Sequence, residues 1–279
     1  MTQIQDSKVR ELAVVANKLR QHVIEMTAAA GSGHQGGPLG LAEIFAALYF
    51  HELKHDPRNP DWPERDRLLL SNGHACPILY AAMAEAGYFP VEELLTLRKL
   101  GSRLQGHPER TWLPGLESTS GPLGAGLAQA IGIAYAHRLD GKNSRTWCVT
   151  SDGEHDEGLH WEAVLAAGKY GLENLTCIVD RNGIQIDGRT EDVMPLSPLE
   201  EKYATFNWHV IPCDGNDLRK ILDAFEGAKA MKGRPTVIVA HTVPGRGVSF
   251  MEDDYRWHSQ VFKPGEAEAA LEELRNAKL

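Results

Sequence analysis

An α/β fold, a parallel sheet with helices on both faces, is the architecture this sequence predicts, and three observations carry it. Five short apolar runs, "RLLLSNGH", "TWCVTSDG", "LTCIVDRNG", "WHVIPCDGN" and "TVIVAHT", have the length of buried strands, and each gives way to polar residues. Helix-like segments, "EGLHWEAVLAAGKYG", "SPLEEKYATF" and "NDLRKILDAFEGAKAMKG", separate the later runs. No two-residue hairpin turn is expected between strands, which leaves parallel pairing covered by helices.

Taken in order, residues 7–29 carry apolar positions at helical spacing and run into "AAAGSGHQGGPLG", a glycine-rich break before a second helix near 40–51. Within that break "GSGHQG", Gly31 to Gly36, satisfies the G-x-G-x-x-G pattern of dinucleotide-binding oxidoreductases. That pattern needs a strand in front of it, and "KLRQHVIEMTAAA" is helical, so the glycines are better explained as letting a loop approach a ligand. Between Ser120 and Gly126, "SGPLGAG" opens a Gly- and Ala-rich segment that permits close backbone approach or tight helix packing. No repeat, low-complexity tract or linker interrupts the chain. One domain over 1–279 is expected, with a short helical tail at about 264–279, "PGEAEAALEELRNAKL".

Composition narrows the function. The chain has 29 basic and 38 acidic residues, a net charge of −9, which gives no electrostatic reason to expect nucleic acid. Its apolar stretches fall short of the roughly 20 residues a membrane helix needs, and "MTQIQDSKVR" lacks a basic region followed by an apolar one. No membrane association and a cytoplasmic location are expected. Cys76, Cys148, Cys177 and Cys213 show no C-x-x-C spacing and are expected to be reduced small hydrophobes.

In open parallel sheets ligands sit at the carboxyl ends of the strands. That directs attention to SNGH, SDG and DRNG. Asp152 follows one strand and Asn182 the next, 182 − 152 = 30 positions on, so adjacent strands would set them side by side. A carboxylate, a side-chain amide and a free backbone carbonyl are hard oxygen ligands suited to Mg²⁺ or Ca²⁺. Gly153 and the helix starting near Glu157 would offer N–H groups to phosphate. A plainer account makes Asp152 a helix cap and Asn182 with Gly183 a tight turn. Glu154 and Asp156 are expected to be a solvated helix start, favourable to the helix dipole. His22, His51, His55, His137, His155, His160 and His209 have helix-like or solvent-like settings and are expected at the surface or core edge. His34, His74, His107 and His258 lie in Gly- or Pro-punctuated loops, where side chains can converge without packing duty. His241 is ambiguous.

The motifs "GSGHQGGPLG", "LLLSNGHA", "GSRLQGHPE", "TSGPLGAGLAQAIG", "SDGEHDEG", "DRNGIQIDG" and the late "WHS" resemble, in order and over nearly the whole chain, the first, diphosphate-binding domain of transketolase. Ser151 departs from the Gly usual there. The resemblance implies the thiamine diphosphate-binding fold, with thiamine diphosphate and Mg²⁺ as cofactors and Ca²⁺ as a substitute. It implies metal ligation by Asp152, Asn182 and Ile184, and cofactor contacts from His74, Gly121, Pro122, Leu123, Gly153, Glu157, Asn182 and His258. It makes His34 and His258 proton-exchanging groups at the substrate oxygen, and His107 the ligand of the ketose terminal hydroxyl. Glu157 would also join a carboxylate cluster across the subunit contact.

A complete transketolase is more than twice as long and carries the activating glutamate on a second domain. The resemblance is therefore to the amino-terminal subunit of a split transketolase, whose partner would be a complementary carboxyl-terminal subunit in a dimer of heterodimers, with sugar phosphates as substrates. The reaction implied is two-carbon ketol transfer from a ketose phosphate to an aldose. The rivals are a thiamine diphosphate-dependent 2-oxo acid decarboxylase or dehydrogenase component and a non-catalytic partner subunit. The loop histidines speak against the first and the intact metal pair against the second.

Overall fold

The computed structural model describes residues 6–278. Five strands, β1 (Arg67–Leu70), β2 (Thr146–Ser151), β3 (Leu175–Arg181), β6 (His209–Asp214) and β7 (Thr236–His241), form one sheet in the order β1-β2-β3-β7-β6. Every neighbouring pair is parallel. The five apolar runs read from the sequence are these five strands. Each of the three inner strands, β2, β3 and β7, buries all but at most its final residue, because helices cover both faces.

One expectation fails. The segment after β3 makes an antiparallel hairpin, β4 (Ile184–Gln185) with β5 (Gly188–Arg189), joined by the two residues Ile186 and Asp187. Two residues per strand are too few to give an alternating pattern, and Gly188 of the Asp-Gly pair lies in β5 and not in the turn.

Helices α1 (Asp6–Ala30), α2 (Gly36–Gly40), α3 (Ala42–Ala47) and α4 (Cys76–Glu85) precede or follow β1. The helix expected near 40–51 is broken into α2, α3 and a π-helical turn over Leu48–Glu52. Further along come α5 (Ala125–Leu139), α6 (Gly158–Tyr170), α7 (Thr190–Val193), α8 (Leu199–Thr205), α9 (Leu218–Ala230) and α10 (Glu266–Arg275). Alternation along the strands divides the core in two. Trp147, Val149, Ile178 and Ile238 face α1, α3, α4 and α9, whereas Cys148, Cys177, Val179 and Val239 face α5, α6 and α8.

The sequence explains why these helices sit as they do. Leu12, Ala16, Leu19, Val23 and Met26 recur at helical spacing and give α1 a fully buried stripe. The Asp217 carboxylate caps α9 by accepting from the Arg219 and Lys220 amides at 2.9 and 3.2 Å. Helix α10 returns to α1, where Asn17 Nδ2 donates to the Leu274 carbonyl at 2.8 Å. All four cysteines are free thiols, with Cys76, Cys148 and Cys177 buried and Cys213 half-buried. No helix among the described residues is long and apolar enough to cross a membrane.

Candidate active site

A cavity of about 290 Å³ opens at the carboxyl ends of β1, β2 and β3. Among its lining residues are His34, His74, His107, His258, Asp152 and Asn182. The sheet registers explain the acidic side: Ser151 at the end of β2 pairs with Asp180 of β3, so the turns that follow, carrying Asp152 and Asn182, emerge together.

Asp152 is fully buried. Its Oδ1 accepts from the Gly153 amide at 2.8 Å, while Oδ2 accepts from the Gly183 amide at 2.8 Å, Thr190 Oγ1 at 3.0 Å and the Arg181 guanidinium at 3.1 Å. Asn182 donates from Nδ2 to Asp180 Oδ2 at 2.9 Å and accepts from the Ile184 amide at 3.0 Å. Burial pushes the Asp152 carboxyl up, against the pull of Arg181. Burial, with the Asp152 charge beside it, pushes Asp180 up to about 7. Arg181 is the cation beside this buried acid, and it is shared with Glu191. Among the described residues no three His, Cys, Asp or Glu converge as a metal cluster. The candidate set contributes only Asp152 of those types; its other donors are an amide and a main-chain carbonyl. That oxygen-only donor set, with the buried Asp180 carboxyl beside it, fits a hard divalent cation.

The histidine side is built from three loops. His34 follows α1, His74 follows β1, and His258 ends a short helical turn over Tyr255–His258. Their ring centroids form a triangle with sides of 5.0, 5.1 and 5.1 Å. Burial, reinforced by the neighbouring His258, pushes His34 and His74 down to about 3. Burial lowers His258, and burial together with Arg98 lowers His107. All four rings are therefore neutral near pH 7, each able to accept a hydrogen bond at one nitrogen and donate one from the other.

The other expected positions divide. Gly121, Leu123, Gly153 and Ile184 line the same cavity. Pro122 and Glu157 are exposed and do not line it, although Glu157 stands at the N-terminus of α6 as expected. His241 is exposed at the end of β7, 3.6 Å from Glu200. The Gly31–Gly36 motif follows α1, a helix, as its rejection as a dinucleotide loop required.

Three expectations need correction. Glu154 is not solvated; it is fully buried, because Ser71 Oγ and the Gly124 amide donate to its carboxylate. Asp156 is exposed, as expected. His155 and His160 are interior residues, both hydrogen-bonded through Nε2 to the Tyr203 hydroxyl, at 2.9 and 2.7 Å. The cavity also includes Gln185 and Ile186, which the sequence motifs do not single out. The available signal was their place inside the DRNGIQIDG segment, whose hairpin carries both residues to the cavity.

Comparison with known proteins agrees with this geometry. Residues 12–275 match the family model described as transketolase, thiamine diphosphate binding domain. A 6-deoxy-6-sulfo-D-fructose transketolase subunit of Clostridium sp. (strain MSTE9) is 43% identical over 259 residues, covering 93% of this chain and 94% of that protein. An apulose-4-phosphate transketolase subunit of Actinobacillus succinogenes is 40% identical, covering 95% of this chain and 96% of the relative. The solved transketolase of Leishmania mexicana superposes with a TM-score of 0.90 at 35% identity over 95% of this chain. This chain spans 41% of that transketolase and 42% of the rat enzyme. With four loop histidines and an Asp–Asn pair meeting at the strand ends, and a family match over nearly its whole length, the chain belongs to the transketolase family through its thiamine diphosphate binding domain.

Proposed function

We propose that this chain is the thiamine diphosphate-binding, amino-terminal subunit of a two-subunit transketolase that moves a two-carbon ketol unit from a ketose phosphate to an aldose. The observation that carries the proposal is that one cavity holds both the Asp152–Asn182 pair and the triangle of His34, His74 and His258. A 2-oxo acid decarboxylase would share the metal pair and the diphosphate contact of His74, but its substrate presents no hydroxyl for His34 and His258 to deprotonate.

Thiamine diphosphate, when bound, supplies the carbon nucleophile for the ketose carbonyl. Asp152, Asn182 and the main-chain carbonyl of Ile184 would hold Mg²⁺, with Ca²⁺ as a substitute, offsetting the diphosphate charge. His74 and the backbone around Gly121, Leu123 and Gly153 would face the diphosphate. Neutral His34 and His258 would take the proton of the third-carbon hydroxyl as the donor's carbon–carbon bond breaks, and return it to the acceptor oxygen in the second half-reaction. His107 would bind the terminal hydroxyl of the donor.

Two relatives that this chain covers almost end to end carry names of transketolase subunits. That supports a complementary carboxyl-terminal subunit, which would bring the activating glutamate and most sugar-phosphate contacts, in a dimer of heterodimers. We place the assembly in the cytoplasm, where its free thiols stay reduced. The test is the reconstituted complex given ordinary, sulfo- and branched ketose phosphates with aldose acceptors, and separately pyruvate. Ketol exchange without CO₂ release is expected; CO₂ from pyruvate with no exchange on any ketose would reject the proposal.

A further inference from the structure

We infer that Glu154 is a positioning residue for the cofactor, fixing the spacing of three loops that would enclose the diphosphate; the inference rests on the thiamine diphosphate proposal above. Glu154 is a fully buried carboxylate in the turn that follows Asp152, and it faces the opposite way. Asp152 binds donors on the β3 side, Gly183 and Thr190. Glu154 binds donors on the β1 side. Its Oε1 accepts from Ser71 Oγ and from the Gly124 amide at 2.7 Å, and its Oε2 accepts from the Ser151 amide at 3.3 Å.

Ser71 extends the connection, since its Oγ also accepts from the Gly126 amide at 3.0 Å. One carboxylate thereby joins the end of β1, the end of β2 and the glycine-rich loop that opens α5. There is no slack at the junction: a Cβ on Gly126 would overlap the Ser71 side chain. A shift of one loop must therefore move the others.

Glu154 also lines the cavity with Gly121 and Gly153. A carboxylate would repel a diphosphate placed against it, and both its oxygens are already turned toward N–H and O–H donors. Its action on the cofactor is therefore indirect, through the loops it spaces. Those donors need an acceptor-only group. Glutamine fills the same volume but would turn an NH₂ toward one of the three donors, leaving a buried N–H or O–H without a partner.

The test uses the full chain in complex with its partner subunit, titrated calorimetrically with thiamine diphosphate at saturating Mg²⁺. Glu154→Gln and Ser71→Ala should each raise Kd at least about tenfold, and the double variant should bind no worse than the weaker single one, because both act through one junction. A merely structural role would instead lower the melting temperature of both variants while leaving the Kd of the folded complex within about twofold of wild type. Hydrogen exchange of the cofactor-free chain gives a second readout, with the Gly124 and Ser151 amides exchanging faster in Glu154→Gln. Should Glu154→Gln fail to fold, Ser71→Ala, which removes one hydroxyl, carries the test. Wild type that binds while both variants match it within about twofold overturns the inference alone; wild type that does not bind overturns the cofactor proposal and the inference with it.

Discussion

Replacing Asp152 separates what its carboxylate does for the fold from what it does for the metal. In Asp152→Ala the Gly153 and Gly183 amides and the Thr190 hydroxyl lose their acceptor, and Arg181 keeps only Glu191. Each buried donor left without an acceptor costs about 1–3 kcal/mol, so the three together cost at least about 3 kcal/mol, with Arg181 still paired to Glu191. For a chain of this size that is a fall in melting temperature on the order of 10 °C. Asp152→Asn preserves the shape and one acceptor oxygen, and should cost about 1–3 kcal/mol. Both variants lose the anionic metal ligand, so both should lose most Mg²⁺-dependent binding of thiamine diphosphate by the complex. Thermal melts of the cofactor-free chain beside calorimetry of the complex measure the two effects independently. An Asp152→Asn variant that binds the cofactor with wild-type affinity refutes the metal role, and an Asp152→Ala variant that melts with the wild type refutes the energetic argument.

Three further outcomes are expected. His107→Ala should chiefly weaken donor binding, by about 1–3 kcal/mol if a buried partner is left unpaired, whereas His258→Ala should chiefly lower turnover, by about 10²–10⁴-fold; KM and kcat on one ketose donor separate the two, and equal effects on both parameters in both variants would contradict the assignment. His74 has a folded pKa of about 3 against an unfolded value near 6.5, so the unfolded chain binds its proton first and stability is lost as pH falls through that window. At about 1.4 kcal/mol per pH unit, His74→Asn should gain about 2 kcal/mol on the wild type between pH 7 and pH 5, and denaturant melts showing a pH-independent difference would contradict it. Gly168→Ala would drive a Cβ into the Phe206 carbonyl oxygen and should cost about 1–3 kcal/mol or more, seen as a lower denaturation midpoint at unchanged m; an unchanged midpoint would show that the α6 contact yields freely.

What the sequence revealed follows from where the determining contacts lie. The five strands were legible because strands buried on both faces must be apolar along their length, and Asp152 met Asn182 because β2 and β3 are neighbours in both sequence and sheet. The crossover that puts β7 between β3 and β6 leaves no trace in the apolar runs themselves. Glu154 and Asp156 look alike in sequence, two acids at a helix start. What buries one of them is Ser71, 83 positions away, and Gly124, 30 positions away. His155 and His160 were misplaced for the same reason, since Tyr203 lies 48 and 43 positions beyond them. The four loop histidines were identified, but their mutual approach and their neutrality depend on a cavity that spacing alone does not disclose.

The measurement closest to the central claim is ketol transfer by this chain alone and after addition of the complementary carboxyl-terminal subunit, each with thiamine diphosphate and Mg²⁺. The account predicts a folded but inactive chain, which gains turnover together with an interface on the order of 2,000 Å² or more when the partner is present. Robust turnover by the chain without a partner would contradict it.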